Sequence, residues 1–429
     1  MPAAAQTARW IARPLPYLDE CARKFGDIFT LRWVGAGTMV MVCSPELIKQ
    51  VFTADADVLH AGEGNNLLEP MVGKHSLLTL DGAEHLRQRR LLLPSFHGER
   101  MQAYAGVMRE VTEASLEKWP LDEPFALHPL TQSITLDVIL KTVFGMGEMP
   151  ELREKLVKLL NLSSNPLTIV PAFMRLDFFN VVPWAGISKL KHAIDTMIYE
   201  EIARRRAKPT GGNDVLSMML DAHDEAGEGM SDVEIRDELI TLLLAGHETT
   251  ATALAWTFER LLANPVTLER LRADLATGSD EYLEAVIKES LRVRPILPIV
   301  ARFVKKPFQL GGWEIPPGVR ITPCIYLVQR REDLYPEPEK FKPERWIGVK
   351  PDPYAWLPFG GGVRRCLGMA FALFEMKVVL ATVIPRVRMR LADGKPAKVV
   401  RRSITLAPSG GTKVVLEERR AKDARARAA

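Results

Sequence analysis

Cysteine is scarce in this chain of 429 residues. Only Cys21, Cys43, Cys324 and Cys366 occur, far apart and with no C-x-x-C pair. That spacing gives neither a disulfide-stapled scaffold nor a structural zinc site, and it fits a reducing, cytoplasmic compartment. A long uninterrupted apolar run is missing too. The most apolar stretch, residues 239–256, is broken at its middle by His247 and Glu248, which speaks against a lipid span and for a buried helix with a task. The first twenty residues carry Arg9, Arg13, Pro14 and Pro16 instead of the apolar core of a secretory signal, so no membrane anchor is expected. Charge of one sign is also lacking. Lys and Arg number 57 against 53 Asp and Glu, and the resulting +4 is too dilute to make nucleic acid an expected partner.

What the chain does have is 47% apolar and 26% charged residues, a globular composition that supports a sizeable core. Helical periodicity dominates residues 45–293, with breaks near 165–184, 209–213 and 227–230. Ser231 and Glu234 form a capping box, and no breaker follows before Asn264-Pro265. The spacing therefore predicts a helix over residues 232–263, about 48 Å long at ~1.5 Å per residue, enough to cross the whole protein. After a helix ending near Arg294-Pro295 come β-rich runs at 299–304 and 309–322, with Gly311-Gly312 as a hairpin turn. A proline-spaced segment leads to Gly360-Gly361-Gly362 and a helix over 367–383. A last pair of strand-like runs flanks Gly410-Gly411. The expected organisation is one domain over 14–416, mainly α with β-rich subregions near 25–45, 299–322 and 400–416, followed by a solvated tail over 417–429.

One cysteine stands apart from the other three. Cys366 follows a glycine-rich turn, precedes a helix and neighbours Arg364 and Arg365, and each of these features favours thiolate, a metal ligand or nucleophile. A phosphate-binding loop is a poor rival, because the G-K-[ST] ending is absent. The run Phe359, Gly362, Arg364, Cys366, Gly368 resembles the F-x-x-G-x-R-x-C-x-G haem loop of the cytochrome P-450 superfamily. The resemblance extends from about Pro14 to Leu416 and implies that fold, with haem b between the long helix and the Cys366 loop and the Cys366 thiolate as axial iron ligand.

Three further motifs occur in the family's order. Ala245-Gly246-His247-Glu248-Thr249-Thr250 resembles the A-G-x-[DE]-T-T oxygen-activation motif. The small residues would admit a flat cofactor, and an acid beside an alcohol can relay protons to a distal oxygen, so Glu248 and Thr249 are the expected catalytic pair. The plain alternative is that Thr249 back-bonds to a carbonyl and Glu248 pairs with an arginine. Glu289-x-x-Arg292, an unremarkable helix pair alone, resembles with Arg345 of Pro343-Glu344-Arg345-Trp346 the family's structural E-x-x-R/P-E-R-F lock, with Trp346 in place of Phe. His85 and Arg89, one helical turn apart, resemble the H-x-x-x-R pair that meets the haem propionates, and Arg302 and Arg364 are the other expected partners.

By position, the resemblance puts substrate contacts at Leu67, Leu68, Ala245, Thr249, Leu297, Ile299, Val300, Ile404 and Thr405, and a greasy lid over 166–184. An apolar cavity selects hydrophobic molecules such as fatty acids, terpenes or steroid-like lipids. The implied enzyme is a monomeric monooxygenase using O2 and electrons from a ferredoxin or flavodoxin with an NAD(P)H reductase. Arg87, Arg90, Arg364, Arg365 and Lys377 form the expected basic docking face. Rival readings are a peroxide-driven peroxygenase, a non-catalytic haem or gas sensor, and a cysteine hydrolase for which no histidine partner is evident.

Overall fold

The computed structural model describes residues 1–96, 100–145, 149–163, 184–208, 211–402 and 404–421. The long helix is the axis of the molecule. The Ser231 hydroxyl accepts the Glu234 N–H while the Glu234 carboxylate accepts the Ser231 N–H, so the helix begins at Asp232; it runs 31 residues to Leu262 and stops before Pro265. At ~1.5 Å per residue it is about 46 Å long, and most of its circumference is buried. Fully buried leucines such as Leu239 and Leu254 each contribute about 1.5–3 kcal/mol of apolar burial. Against it packs Leu127–Phe144, tied by Thr131 Oγ1 donating to the Ala251 carbonyl at 3.0 Å and Thr135 Oγ1 to the His247 carbonyl at 3.1 Å. A Cβ on Gly246 would meet Ile139 Cδ1 at 3.3 Å, so this glycine permits close helix packing. The expected role of Gly246, admitting a cofactor, is thereby corrected: the gap is already filled by Ile139.

The largest sheet has five strands in the order Ile28–Trp33, Gly37–Val42, Arg320–Pro323, Arg302–Val304, Leu59–His60, with the second and third parallel. Phe308–Leu310 and Trp313–Ile315 form the expected hairpin, and Gly311 and Gly312 both take positive φ as a two-residue turn demands. The runs flanking Gly410-Gly411 do not pair with each other. Thr405–Pro408 pairs with Val399–Arg402, while Lys413–Arg419 lies between Val387–Leu391 and Pro124–Ala126.

Both chain ends are more structured than expected. Helix Ala3–Ala12 lies outside the predicted start at Pro14, yet Trp10 stacks on Trp33 with ring centroids 4.5 Å apart. The last strand runs three residues into the predicted tail, because the Arg419 guanidinium donates to the carbonyls of Leu116, Glu117 and Trp119. No described helix is long and apolar enough to cross a membrane.

Candidate functional site

The loop that carries Cys366 is shaped by contact with Phe52. A Cβ on Gly361 would come within 2.3 Å of the Phe52 ring and one on Gly362 within 2.4 Å of its carbonyl, and Gly360 and Gly362 both have positive φ. Any other residue at 361 or 362 would push the loop off its seat. The Cys366 N–H donates to the Phe359 carbonyl at 2.9 Å, which closes the turn, and Met369–Val383 follows as a helix capped by Gly368. Phe359 rests half-buried against Trp356, ring centroids 6.0 Å apart. Cys366 lies deep in the protein and is nonetheless accessible, which marks an internal hollow, whereas Cys21, Cys43 and Cys324 are buried in packing. Burial pushes the Cys366 thiol up, outweighing the Gly368 N–H, Arg89 and Arg365, which pull it down. The neighbours expected to favour thiolate are thus insufficient alone; a metal bound to the sulfur in place of the proton would complete the ionisation.

Behind this loop, Glu289 is fully satisfied. Arg292 donates Nε to Oε2 and Nη2 to Oε1, each at 2.8 Å; Arg345 Nε reaches Oε1 at 3.2 Å; the Lys342 N–H and the Trp346 indole N–H donate at 2.9 Å. Arg292 spends its remaining donors on the carbonyls of Gln329, Pro338 and Lys340. The lock implied by E-x-x-R is therefore formed in space, and Trp346 joins it as a hydrogen-bond donor as well as an aromatic.

A second basic cluster is built differently. His85 and Arg89 project from Gly82–Leu92, Arg302 from its strand and Arg364 from the cysteine loop. Burial and the charges of Arg364, Arg89 and Arg302 push His85 down to about 3, so it stays neutral. Burial, with Arg364 beside it, pushes Arg302 down to about 10, and burial does the same to Arg364. The nearby carboxylate, Asp81, accepts from Arg364 at 2.5 Å and from the N–H groups of Gly62 and Glu63 at 2.8 and 2.9 Å. Sequence reasoning missed Asp81, which stands where a helix N-cap belongs but makes no cap bond. Among the described residues, the side chains of His85 and Arg89 have no hydrogen-bond or ion-pair partner, and the Arg302 guanidinium donates only to the carbonyl of Ala301. His85, Arg302, Arg364, Asp81, Phe52 and Gly361 border one cleft of about 60 Å³. Cations gathered in partial burial without matching anions call for anionic groups from outside the chain. The two carboxylates of a haem fit that demand, as Cys366 in its hollow fits the iron.

On the long helix, Leu242, Ala245 and Thr249 share a face, and Ala245 is exposed although it lies mid-helix among buried residues. Thr249 Oγ1 donates to the Ala245 carbonyl at 2.6 Å, the back-bond that the plain reading anticipates. Glu248 points toward Leu127–Phe144. Gln132 donates to it at 2.5 Å, Arg402 Nε stands 3.3 Å away, and His128 Nε2 lies 3.7 Å away. Burial raises the Glu248 carboxyl against the opposing pull of Arg402 and Gln132, and burial holds His128 neutral, at about 3. No motif announced Gln132, His128 or Arg402; their separation in sequence hides them.

The proposed substrate residues are only partly assembled. The Leu406 N–H donates to the Ile296 carbonyl at 2.8 Å, which brings Leu297 beside the strand holding Thr405; Thr405 itself is buried and bonded to the Arg402 carbonyl. Leu67 and Ile404 are exposed and Leu68 half-buried. Ile299 packs against the Trp10 and Tyr17 cluster, and Val300 against that of Val42 and Ile321. The lid expected over 166–184 lies outside the described residues save Trp184, which opens the helix to Ala207. The expected basic docking face does not form. Arg87 is paired to Asp224 and Glu234, Arg90 to Glu225, Lys377 to Asp280 and Glu284, and Arg364 turns inward; Arg365 remains exposed.

Comparison with known proteins points to one family. The family model described as Cytochrome P450 matches residues 6–415. A Mycobacterium tuberculosis protein provisionally named cytochrome P450 137 is 41% identical over 418 residues, covering 96% of this chain and 87% of the relative. One from Mycobacterium bovis, provisionally named cytochrome P450 135B1, is 39% identical over 420 residues, covering 95% and 88%. Among solved structures, the retinoic acid-bound cyanobacterial CYP120A1 matches at TM-score 0.86 with 24% identity and 96% of each chain covered. The haem domain of cytochrome P450DA matches at TM-score 0.84 with 25% identity, covering 98% of this chain and 97% of that one.

Proposed function

The chain belongs to the cytochrome P450 family, and on that premise we propose that Cys366 is its haem thiolate and that His85, Arg89, Arg302 and Arg364 hold the propionates. As a member it is a haem-thiolate monooxygenase that binds haem b. Bound haem supplies the oxygen chemistry, in which one atom of O2 enters the substrate and the other leaves as water, with two electrons and two protons consumed. The observation that carries the site assignment is the set of buried and half-buried cations, two of them without a carboxylate, beside the accessible, deeply set Cys366.

The chain's own residues then divide the work. Phe359 and Gly368 shape the cysteine turn, and Ala245 leaves room for the flat cofactor. Thr249 turns about its side-chain bond from the Ala245 carbonyl to position water. Glu248, raised by burial toward the pH at which an acid delivers protons well, passes them inward from the Gln132, His128 and Arg402 side. Leu297, beside the strand that holds Thr405, supports a hydrophobic substrate, a fatty acid, terpene or steroid-like lipid, by apolar character, whereas Ile299 and Val300 are taken up by core packing. Electrons come from a separate ferredoxin or flavodoxin with its NAD(P)H reductase. Retention of both Glu248 and Thr249 favours O2-driven over peroxide-driven turnover.

Two measurements test this. The reduced carbon monoxide complex shows the red-shifted band of thiolate ligation, and Cys366→His loses it; an unchanged spectrum in that variant refutes the ligand. Thr249→Ala still binds substrate and accepts electrons but releases more peroxide and less product per NADPH. A wild-type ratio of product to NADPH means that Thr249 is a helix-packing device only.

A further inference from the structure

A second cleft, of about 160 Å³, opens where the Glu289 helix ends, and it shares no residue with the site above. Its polar feature is Arg294. Burial, with Arg260 and Arg330 adding repulsion, pushes this guanidinium down to about 10, so it keeps its charge at neutral pH. Its Nε is sealed from solvent without a partner, and Nη1 reaches only the carbonyl of the preceding Val293, at 3.3 Å. The neighbouring groups have partners of their own: Arg260 pairs with Glu259 and Arg330 with Glu339, and the Tyr326 hydroxyl donates to Asp19. Among the described residues the Arg294 guanidinium has no carboxylate within ion-pair distance. The wall also carries Tyr326 and the paired Arg330 and Glu339, and the rest of it is apolar. Trp256 lies under the guanidinium, 5.1 Å from its ring centre, and Leu15, Pro295, Val399 and Leu406 complete it.

We propose that this cleft binds a monoanionic amphiphile, a carboxylate carried on a short apolar body, with the carboxylate on Arg294 and the body against Trp256, Val399 and Leu406. An unpaired guanidinium whose sealed Nε has no partner calls for an anionic acceptor, and the apolar part of the wall calls for an apolar body attached to it. The space holds on the order of ten waters at ~10–15 Å³ each, hence a ligand of roughly ten heavy atoms. The inference does not depend on the assignment of Cys366 or Thr249.

Isothermal titration of the haem-loaded protein, its iron capped by saturating imidazole, reads the site directly with octanoate as probe. Octanoate binds the wild type; Arg294→Met weakens it at least tenfold, Arg294→Lys less, and Val399→Trp abolishes it by filling the cleft. Octan-1-ol and inorganic phosphate, each lacking one half of the ligand, bind at least tenfold more weakly. The proposal is overturned by equal octanoate binding to wild type and Arg294→Met, by binding that imidazole displaces, by phosphate or octanol binding as well as octanoate, or by no heat at millimolar octanoate. Should Arg294→Met fail to take up haem, Val399→Trp decides alone.

Discussion

Two arginine-rich clusters flank the cysteine loop, and they differ in what completes them. Around Glu289, one carboxylate takes five donors, both guanidiniums reach it, and their other bonds go to backbone carbonyls. Around His85, two of three guanidiniums lack a carboxylate and the histidine is forced neutral. Both clusters are largely buried, so burial does not separate a scaffold from a binding site; whether every cation reaches a carboxylate within the chain does. A buried charge set that closes on itself is finished when the chain folds, whereas one that does not close waits for a ligand.

Removing the carboxylate from the closed cluster is the strongest way to break this contrast. Glu289→Ala leaves Arg292, fully buried, with backbone carbonyls alone. The expected cost is about 3–5 kcal/mol, the penalty of an uncompensated buried charge, seen as loss of soluble, haem-loaded protein. Wild-type thermal stability of this variant would show that the carbonyls suffice and that the closed cluster is no lock.

The open cluster makes the opposite forecast. Arg302→Met removes a desolvated cation that lies beside Arg364 and over the Phe52 ring, so the haem-free protein loses no stability, since repulsion falls as the charge goes. The haem-loaded protein pays instead: loss of haem to a scavenger accelerates about 10- to 100-fold, the range of one hydrogen bond to a charged group. A haem-free variant destabilised as much as Glu289→Ala would place Arg302 in the scaffold and erase the distinction.

Local signals were readable in the sequence and remote ones were not. The Ser231 box and Asn264-Pro265 set the long helix to within one residue, and Gly311-Gly312 set the hairpin, because each signal lies beside the element it governs. The first helix escaped notice because what holds it, Trp33, is 23 residues away from Trp10. The basic docking face was misread for the same reason: the acids that neutralise Arg87 and Arg90 lie 137 and 135 residues downstream. Resemblance brought His85, Arg89, Arg302 and Arg364 together on paper; it said nothing of Asp81, or of the Gln132 and Arg402 that hold Glu248.

Trp346 offers the finest test of the closed cluster, since it replaces the Phe that the motif resemblance implies. Its indole N–H donates to Glu289 Oε2, which otherwise receives only Arg292 Nε, while Oε1 has three donors. Trp346→Phe keeps an aromatic against Tyr335 and Trp356 but leaves Oε2 under-bonded in a dry site. The expected loss is about 1.5 kcal/mol, the low end for a hydrogen bond to a charged group, because Arg292 remains bidentate. In a protein of 429 residues that amounts to a fall of about 1–2 °C in Tm, with the carbon monoxide spectrum and the rate of haem loss unchanged. An unaltered Tm would mean that four donors already satisfy Glu289 and that the indole is present for packing alone; faster haem loss would mean that the two clusters are coupled through the loop between them.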